Sequence, residues 1–125
     1  MRTAPVGIIA IVDDDDAIRA ATGSLIRSLG WHVCLFDSAI AFLRWPDIAQ
    51  TACLISDVRM PHMSGVEMHN RILQLGHTLP TIFITAFPTP GLNAKLKAPG
   101  VIAILEKPVD AAAMEDCIAR VIGTP

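Results

Sequence analysis

Leu54-Ile55-Ser56-Asp57-Val58-Arg59-Met60-Pro61-His62-Met63-Ser64-Gly65 is the stretch around which the rest of the chain falls into place. A short apolar run, residues 52–55, leads into a single acidic residue, Asp57. Pro61, Ser64 and Gly65 then mark a turn, and an amphipathic segment begins at Val66. That order predicts a buried strand ending in a carboxylate, a loop and a helix. In an open α/β sheet the loops after the strands are where chemistry is placed. Asp57 therefore stands where a reactive carboxylate would stand.

The same alternation runs outward in both directions. Residues 8–12 form a continuous apolar, β-branched run, which suits a central parallel strand covered on both faces. Asp13, Asp14, Asp15 and Asp16 follow. Ile18, Thr22, Leu25, Ile26 and Leu29 then recur at helical spacing, with Gly30 as the stop. Residues 31–36 read as a second strand. Ser38 caps a short helix carrying Ala41, Phe42 and Leu43, which ends before Pro46. The third helix spans residues 66–75, with Met68, Ile72 and Leu75 on one face. Residues 81–85 make a fourth strand, announced by Pro80. Residues 87–91 form a loop, residues 92–98 have room for two helical turns, and residues 101–105 make a fifth strand. Asp110 caps a last helix with Met114, Cys117, Ile118, Val121 and Ile122 along one side. Strands alternating with helices imply an α/β fold, a parallel sheet covered on both faces with right-handed crossovers. Periodicity does not order the strands.

Composition narrows the function classes. The 125 residues are enough for one domain with a core of its own, and 52% apolar content argues against disorder. The net charge of −2 comes with no Lys/Arg cluster, so nucleic-acid binding by this segment is not expected. No apolar run approaches the roughly 18 residues a membrane span needs. Residues 6–12 run straight into four aspartates, where a signal peptide would carry a small-residue cleavage site. Cys34, Cys53 and Cys117 are isolated and read as small hydrophobes in a reducing compartment. His32, His62, His69 and His77 lack metal-ligand spacing and read as surface or edge residues.

Five residues carry the chemistry: Asp13, Asp14, Asp57, Thr85 and Lys107, each at the end of an expected strand. Singly, each has an ordinary reading. Asp13 to Asp16 suit a helix N-terminus electrostatically, and Asp15 or Asp16 is the natural cap. A Thr ending a strand or a Lys before a Pro is unremarkable. The specific signal is the ordered set I-V-D-D-D, L-I-S-D-V-R-M-P-x-M-S-G, I-F-I-T-A and L-E-K-P.

That set resembles the receiver domain of bacterial two-component response regulators, and the D-V-R-M-P-x-M-S-G segment is especially like the nitrogen-fixation regulator subfamily. The resemblance covers essentially the whole chain and implies one receiver domain over residues 1–125. It implies a flavodoxin-like (βα)5 doubly wound sheet of order 2-1-3-4-5. Strands one and three are then neighbours, and the aspartates converge at the switch point. Carboxylates so close repel, and a hard divalent cation such as Mg²⁺ relieves this. By resemblance, Asp13 and Asp14 are the acidic pair, Asp57 accepts the phosphoryl group and binds metal, and Arg59 offers its backbone carbonyl to Mg²⁺. Thr85 would hydrogen-bond the phosphoryl group and Lys107 would pair with one of its oxygens. The Lys107–Pro108 bond would be cis. The phosphodonor would be a phosphohistidine on a sensor histidine kinase, with an effector domain or partner protein downstream and a weak homodimer allowed. The domain would be cytoplasmic and catalyse only its own phosphorylation and dephosphorylation.

Two departures bear on the output surface. Ile104 stands where receivers commonly carry an aromatic residue, and Pro88, Pro90 and Pro99 interrupt the region where a fourth helix usually runs. The aromatic arm of the switch is expected to be muted, with residues 87–100 carrying the change instead. Two alternatives stay open at this point. A haloacid-dehalogenase-type phosphatase would use the D-x-D of Asp13 and Asp15 with Thr85 and Lys107, but would leave D-V-R-M-P-x-M-S-G unexplained. A pseudo-receiver would keep the fold and work as a binding module.

Overall fold

The apolar runs pair as parallel strands. In the computed structural model, which describes residues 7–86 and 99–123, β1 is Ile8–Val12, β2 His32–Phe36, β3 Thr51–Asp57, β4 Thr81–Thr85 and β5 Val101–Glu106. Their order is β2-β1-β3-β4-β5, all pairs parallel. The helices are α1 (Asp16–Ser28), α2 (Ala39–Leu43), α3 (Gly65–Gln74) and α4 (Ala111–Ile122). The fold is thus the flavodoxin-like one. The helical turns expected over residues 92–98, and most of the 87–100 segment expected to carry the switch, lie outside the described residues.

Alternation along the strands divides the core in two, because successive side chains point to opposite faces. Ile9, Ile11, Ile55, Ile82 and Ile84 pack with Ile26 of α1 and with Met114, Cys117 and Ile118 of α4. Ala10, Val12 and Leu54 pack with Phe42 of α2 and with Met68 and Ile72 of α3. Both faces of the central strands are therefore buried, as their unbroken apolar runs require. Among the described residues, no helix is long and apolar enough to cross a membrane.

Helix ends are set by local chemistry. Asp15 caps α1 by accepting from the Ile18 N–H at 2.9 Å, Ser38 caps α2 from Ala41, and Asp110 caps α4 from Ala113. Ser64 and Glu67 form a reciprocal capping box at the start of α3. At the end of α1, Gly30 at φ +100° lets its N–H reach the Arg27 carbonyl while Trp31 reaches Ile26. That is the Schellman turn, and glycine takes its left-handed position without a Cβ penalty.

Two readings of individual residues need correcting. Leu75, expected on the buried face of the third helix, is the C-cap residue of α3 and is 60% exposed. His69, expected at the surface, is only 2% exposed. It neighbours Met68 on α3 and widens the buried stripe. Its polar atoms are accommodated there: Nε2 lies 2.8 Å from the Pro99 carbonyl, Nδ1 3.5 Å from Thr81 Oγ1, and the ring stands edge-on to Phe83.

The cysteines follow their burial. Cys53 and Cys117 are buried in the α1/α4 core, and Cys34 on the edge strand β2 is half-buried. Burial, with the nearby Cys117, pushes the Cys53 thiol up to about 12. The thiolate is the reactive form. Iodoacetamide at pH 8 is therefore expected to label Cys34 in the native protein and all three cysteines only in denaturant. Rapid native labelling at Cys53, read by peptide mass spectrometry, would contradict the packing.

Candidate functional site

Strands β1, β3, β4 and β5 end side by side at the carboxyl edge of the sheet, and the residues at or just past their ends make the site. β1 ends at Val12, so Asp13 emerges at the edge; its N–H is held by the Phe36 carbonyl at 3.2 Å, and it is fully buried. β3 runs one residue into the site and ends on Asp57, 8% exposed. Thr85 closes β4, 1% exposed. β5 ends at Glu106, and the Lys107 N–H bonds the Thr85 carbonyl at 2.9 Å, carrying the pairing one step further. The Lys107–Pro108 bond is cis.

These pieces converge. One oxygen each from Asp13, Asp14 and Asp57 lie within 4.8 Å of one another. Asp13 and Asp57 are buried, while Asp14 is exposed. Lys107 Nζ lies 2.8 Å from Asp57 Oδ2 and 3.3 Å from Asp13 Oδ2, a bridge between two carboxylates from different strands. Asp57 Oδ1 accepts the Arg59 N–H at 3.2 Å, and Asp13 Oδ1 accepts the Asp15 N–H at 2.9 Å. Arg59 itself is exposed in the loop after β3.

The electrostatics follow from burial and charge. Burial pushes the Asp13 carboxyl above the usual range, and the Asp57 charge adds to this. The Asp15 N–H and the Lys107 ammonium act against it and do not cancel it. For Lys107, burial pulls the ammonium down, but its hydrogen bonds and charge interactions with Asp57 and Asp13 outweigh that, and the net direction is up. Lys107 therefore stays protonated at neutral pH. Two of the three carboxylates, those of Asp13 and Asp57, share the Lys107 ammonium. The donors of all three are oxygens, two buried and one open to solvent, which suits a hard divalent cation that keeps some of its waters.

The loop after β3 is anchored by packing. Met60 and Met63 lie against the α2/α3 core, and Gly65 N–H bonds the Val58 carbonyl at 2.9 Å. A Cβ on Gly65 would overlap the Asp57 carbonyl oxygen and press on Ser56 Oγ. Ser56 Oγ already donates to that carbonyl at 2.8 Å. On β5, Ile104 is half-buried and packs against the cluster of Val58 and Phe83.

Two site neighbours were missed by sequence reading. Gly65 passed as an ordinary turn residue, because close backbone approach leaves no local signature. Arg19 of α1 places Nη1 2.8 Å from the Asp13 carbonyl and Nη2 2.6 Å from Asp16 Oδ1. The Asp16–Arg19 spacing at i,i+3 was the available signal.

Known proteins share this frame. The response regulator protein TmoT of Ectopseudomonas mendocina is 44% identical over 103 residues, covering 81% of this chain and 46% of that protein. The transcriptional regulatory protein FixJ of Bradyrhizobium diazoefficiens is 35% identical over 104 residues, covering 83% of this chain and 51% of that protein. The chain thus spans about half the length of these relatives. The crystal structure of FixJ-N matches with a TM-score of 0.84 at 29% identity, covering 94% of each chain. The response regulator StyR matches at 0.79 and 34% identity, covering 94% of this chain and 60% of that one. Residues 9–119 match the family described as the response regulator receiver domain. With four strand ends delivering an acidic cluster and a bridging lysine to one sheet edge, the chain belongs to the response regulator receiver domain family of two-component signalling.

Proposed function

We propose that the chain accepts a phosphoryl group on Asp57 from a phosphohistidine of a sensor histidine kinase, in a Mg²⁺-dependent reaction. The observation that carries this is the Asp57 carboxylate, held at the mouth of the sheet by Lys107 at 2.8 Å and grouped with Asp13 and Asp14. An Asp57 oxygen attacks phosphorus, the P–N bond breaks, and the imidazole leaves with the electron pair. Lys107, already at Asp57, then pairs with a phosphoryl oxygen, and the Thr85 hydroxyl hydrogen-bonds another. The carboxylates of Asp13, Asp14 and Asp57 and the Arg59 carbonyl would hold Mg²⁺, which would neutralise charge on the transferring group. The domain turns over no external metabolite; its catalysis is confined to its own phosphorylation and hydrolysis.

The donor's docking face is apolar. A cavity of about 500 Å³ opens beside Lys107, lined by Ile18, Ala21 and Leu25 of α1 and by Pro108, Val109 and Met114. It supports docking of a kinase helix next to the nucleophile. These relatives, of which the chain spans about half, are named as response and transcriptional regulators, which supports an effector domain downstream and a cytoplasmic setting.

The test is incubation with a small acyl-phosphate donor, followed by intact-mass spectrometry. One stoichiometric phosphate is expected with Mg²⁺, none with EDTA, and loss on hydroxylamine treatment. Phosphate that forms equally in EDTA, or that resists hydroxylamine, refutes the reading. Steady turnover of a generic phosphomonoester would favour a phosphatase instead.

A further inference from the structure

The acidic loop between β1 and α1 is held from the helix side by one cation. Arg19 Nη1 donates to the Asp13 carbonyl at 2.8 Å and Nη2 to Asp16 Oδ1 at 2.6 Å. The Arg19 side chain is 17% exposed, while that of Asp16 is 88% exposed. The other groups of Asp13 are committed: its N–H to Phe36, Oδ1 to the Asp15 N–H, and Oδ2 to Lys107. Asp14 differs. Among the described residues no protein group hydrogen-bonds its exposed carboxylate, although that carboxylate belongs to the cluster. Its position is inherited from the backbone, and the peptide that joins Asp13 to Asp14 is the one whose carbonyl Arg19 grips.

We propose that Arg19 is a positioning residue for the cation site: its guanidinium fixes the Asp13–Asp14 peptide and so the approach of Asp14 to Asp13 and Asp57. The inference rests on the Mg²⁺-dependent reading above. A planar guanidinium suits the task, because its fixed fork binds a carbonyl and a carboxylate at once.

A competing effect has the opposite sign. Arg19 also brings positive charge toward an acidic cluster, and by Coulomb's law its removal would strengthen divalent binding. Asp16 pairs that charge at 2.6 Å, so the two together present little net charge to the cluster. Positioning therefore wins, and loss of the guanidinium weakens the site.

The experiment measures Mg²⁺ binding by calorimetry on the unphosphorylated chain, for the wild type, Arg19→Gln and Arg19→Lys. Arg19→Gln is expected to bind Mg²⁺ about tenfold more weakly, the lower end for loss of an outer-shell partner. The weakening persists when ionic strength is raised, which a charge effect would not. Arg19→Lys falls between, since an ammonium lacks the fork. Far-UV circular dichroism and melting cooperativity in EDTA stay those of the wild type, which separates positioning from loss of fold. Should Arg19→Gln not fold, Arg19→Lys carries the test with the same sign. Equal or tighter Mg²⁺ binding by the variants beside a binding wild type overturns the inference alone. A wild type that binds no Mg²⁺ overturns the metal-dependent reading with it.

Discussion

Asp57→Asn is expected to take up no phosphoryl group from an acyl-phosphate donor, with Mg²⁺ present, while remaining folded. The amide keeps the shape of a side chain that is 8% exposed but offers no nucleophilic oxyanion. Its hydrogen bonding is only partly preserved. The carboxylate takes the Arg59 N–H on one oxygen and the Lys107 ammonium on the other. An Asn has one acceptor and one donor end, so one of those two bonds is lost, at about 1–3 kcal/mol. Loss of a negative charge beside buried Asp13 offsets part of that. The net change in stability is small against a domain's total of about 5–15 kcal/mol, so loss of phosphorylation reads chemistry and not unfolding. Intact-mass spectrometry still showing one stoichiometric phosphate would move the reaction to another residue.

What was legible beforehand divides by range. The strand, carboxylate and turn around Asp57 are local patterns, and each lies where periodicity and the turn residues put it. The caps at Ser38, Asp15 and Asp110 are local too, and so is the stop at Gly30. Strand order is not local. Nothing in the runs themselves says that residues 8–12 lie between residues 32–36 and 51–57; the family resemblance supplied that. The candidate residues Asp13, Asp14, Asp57, Thr85 and Lys107 were readable as an ordered set. The lysine's bridging of two carboxylates was not, since its partners lie 94 and 50 residues away. His69 shows the same limit. It read as a surface or edge residue, because the acceptor that lets it be buried is the Pro99 carbonyl, 30 residues away. Ile104 was identified as a departure, and its packing on Phe83 is consistent with a residue that fills space without an aromatic ring's reach.

Gly65→Ala is expected to destabilise the fold by about 3 kcal/mol, near the upper end for over-packing a close contact, and to slow phosphorylation of Asp57. Backbone freedom is not the cause, since Gly65 opens α3 behind the Ser64 cap; lack of space is. The added methyl would overlap the Asp57 carbonyl oxygen and would lie 3.0 Å from the Phe83 ring and 3.1 Å from Ser56 Oγ. A flexible side chain would yield cheaply, but the carbonyl belongs to β3 and is fixed by the Ser56 hydroxyl. Either α3 lifts, straining the Gly65–Val58 bond, or the last peptide of β3 tilts and carries the nucleophile with it. Two other glycines calibrate the effect. Gly76 sits at φ +89° with open space around it, so alanine there meets only the left-handed penalty of about 1–2 kcal/mol. Gly23 lies inside α1, and a methyl there meets the movable Leu35 side chain, so the helix gain of about 0.5–1 kcal/mol from Gly to Ala offsets the contact. The expected order of destabilisation by urea titration is Gly65→Ala, then Gly76→Ala, then Gly23→Ala, with slowed phosphorylation confined to the first. A Gly65→Ala variant as stable as Gly23→Ala would show that helix and strand do not approach each other as closely as described.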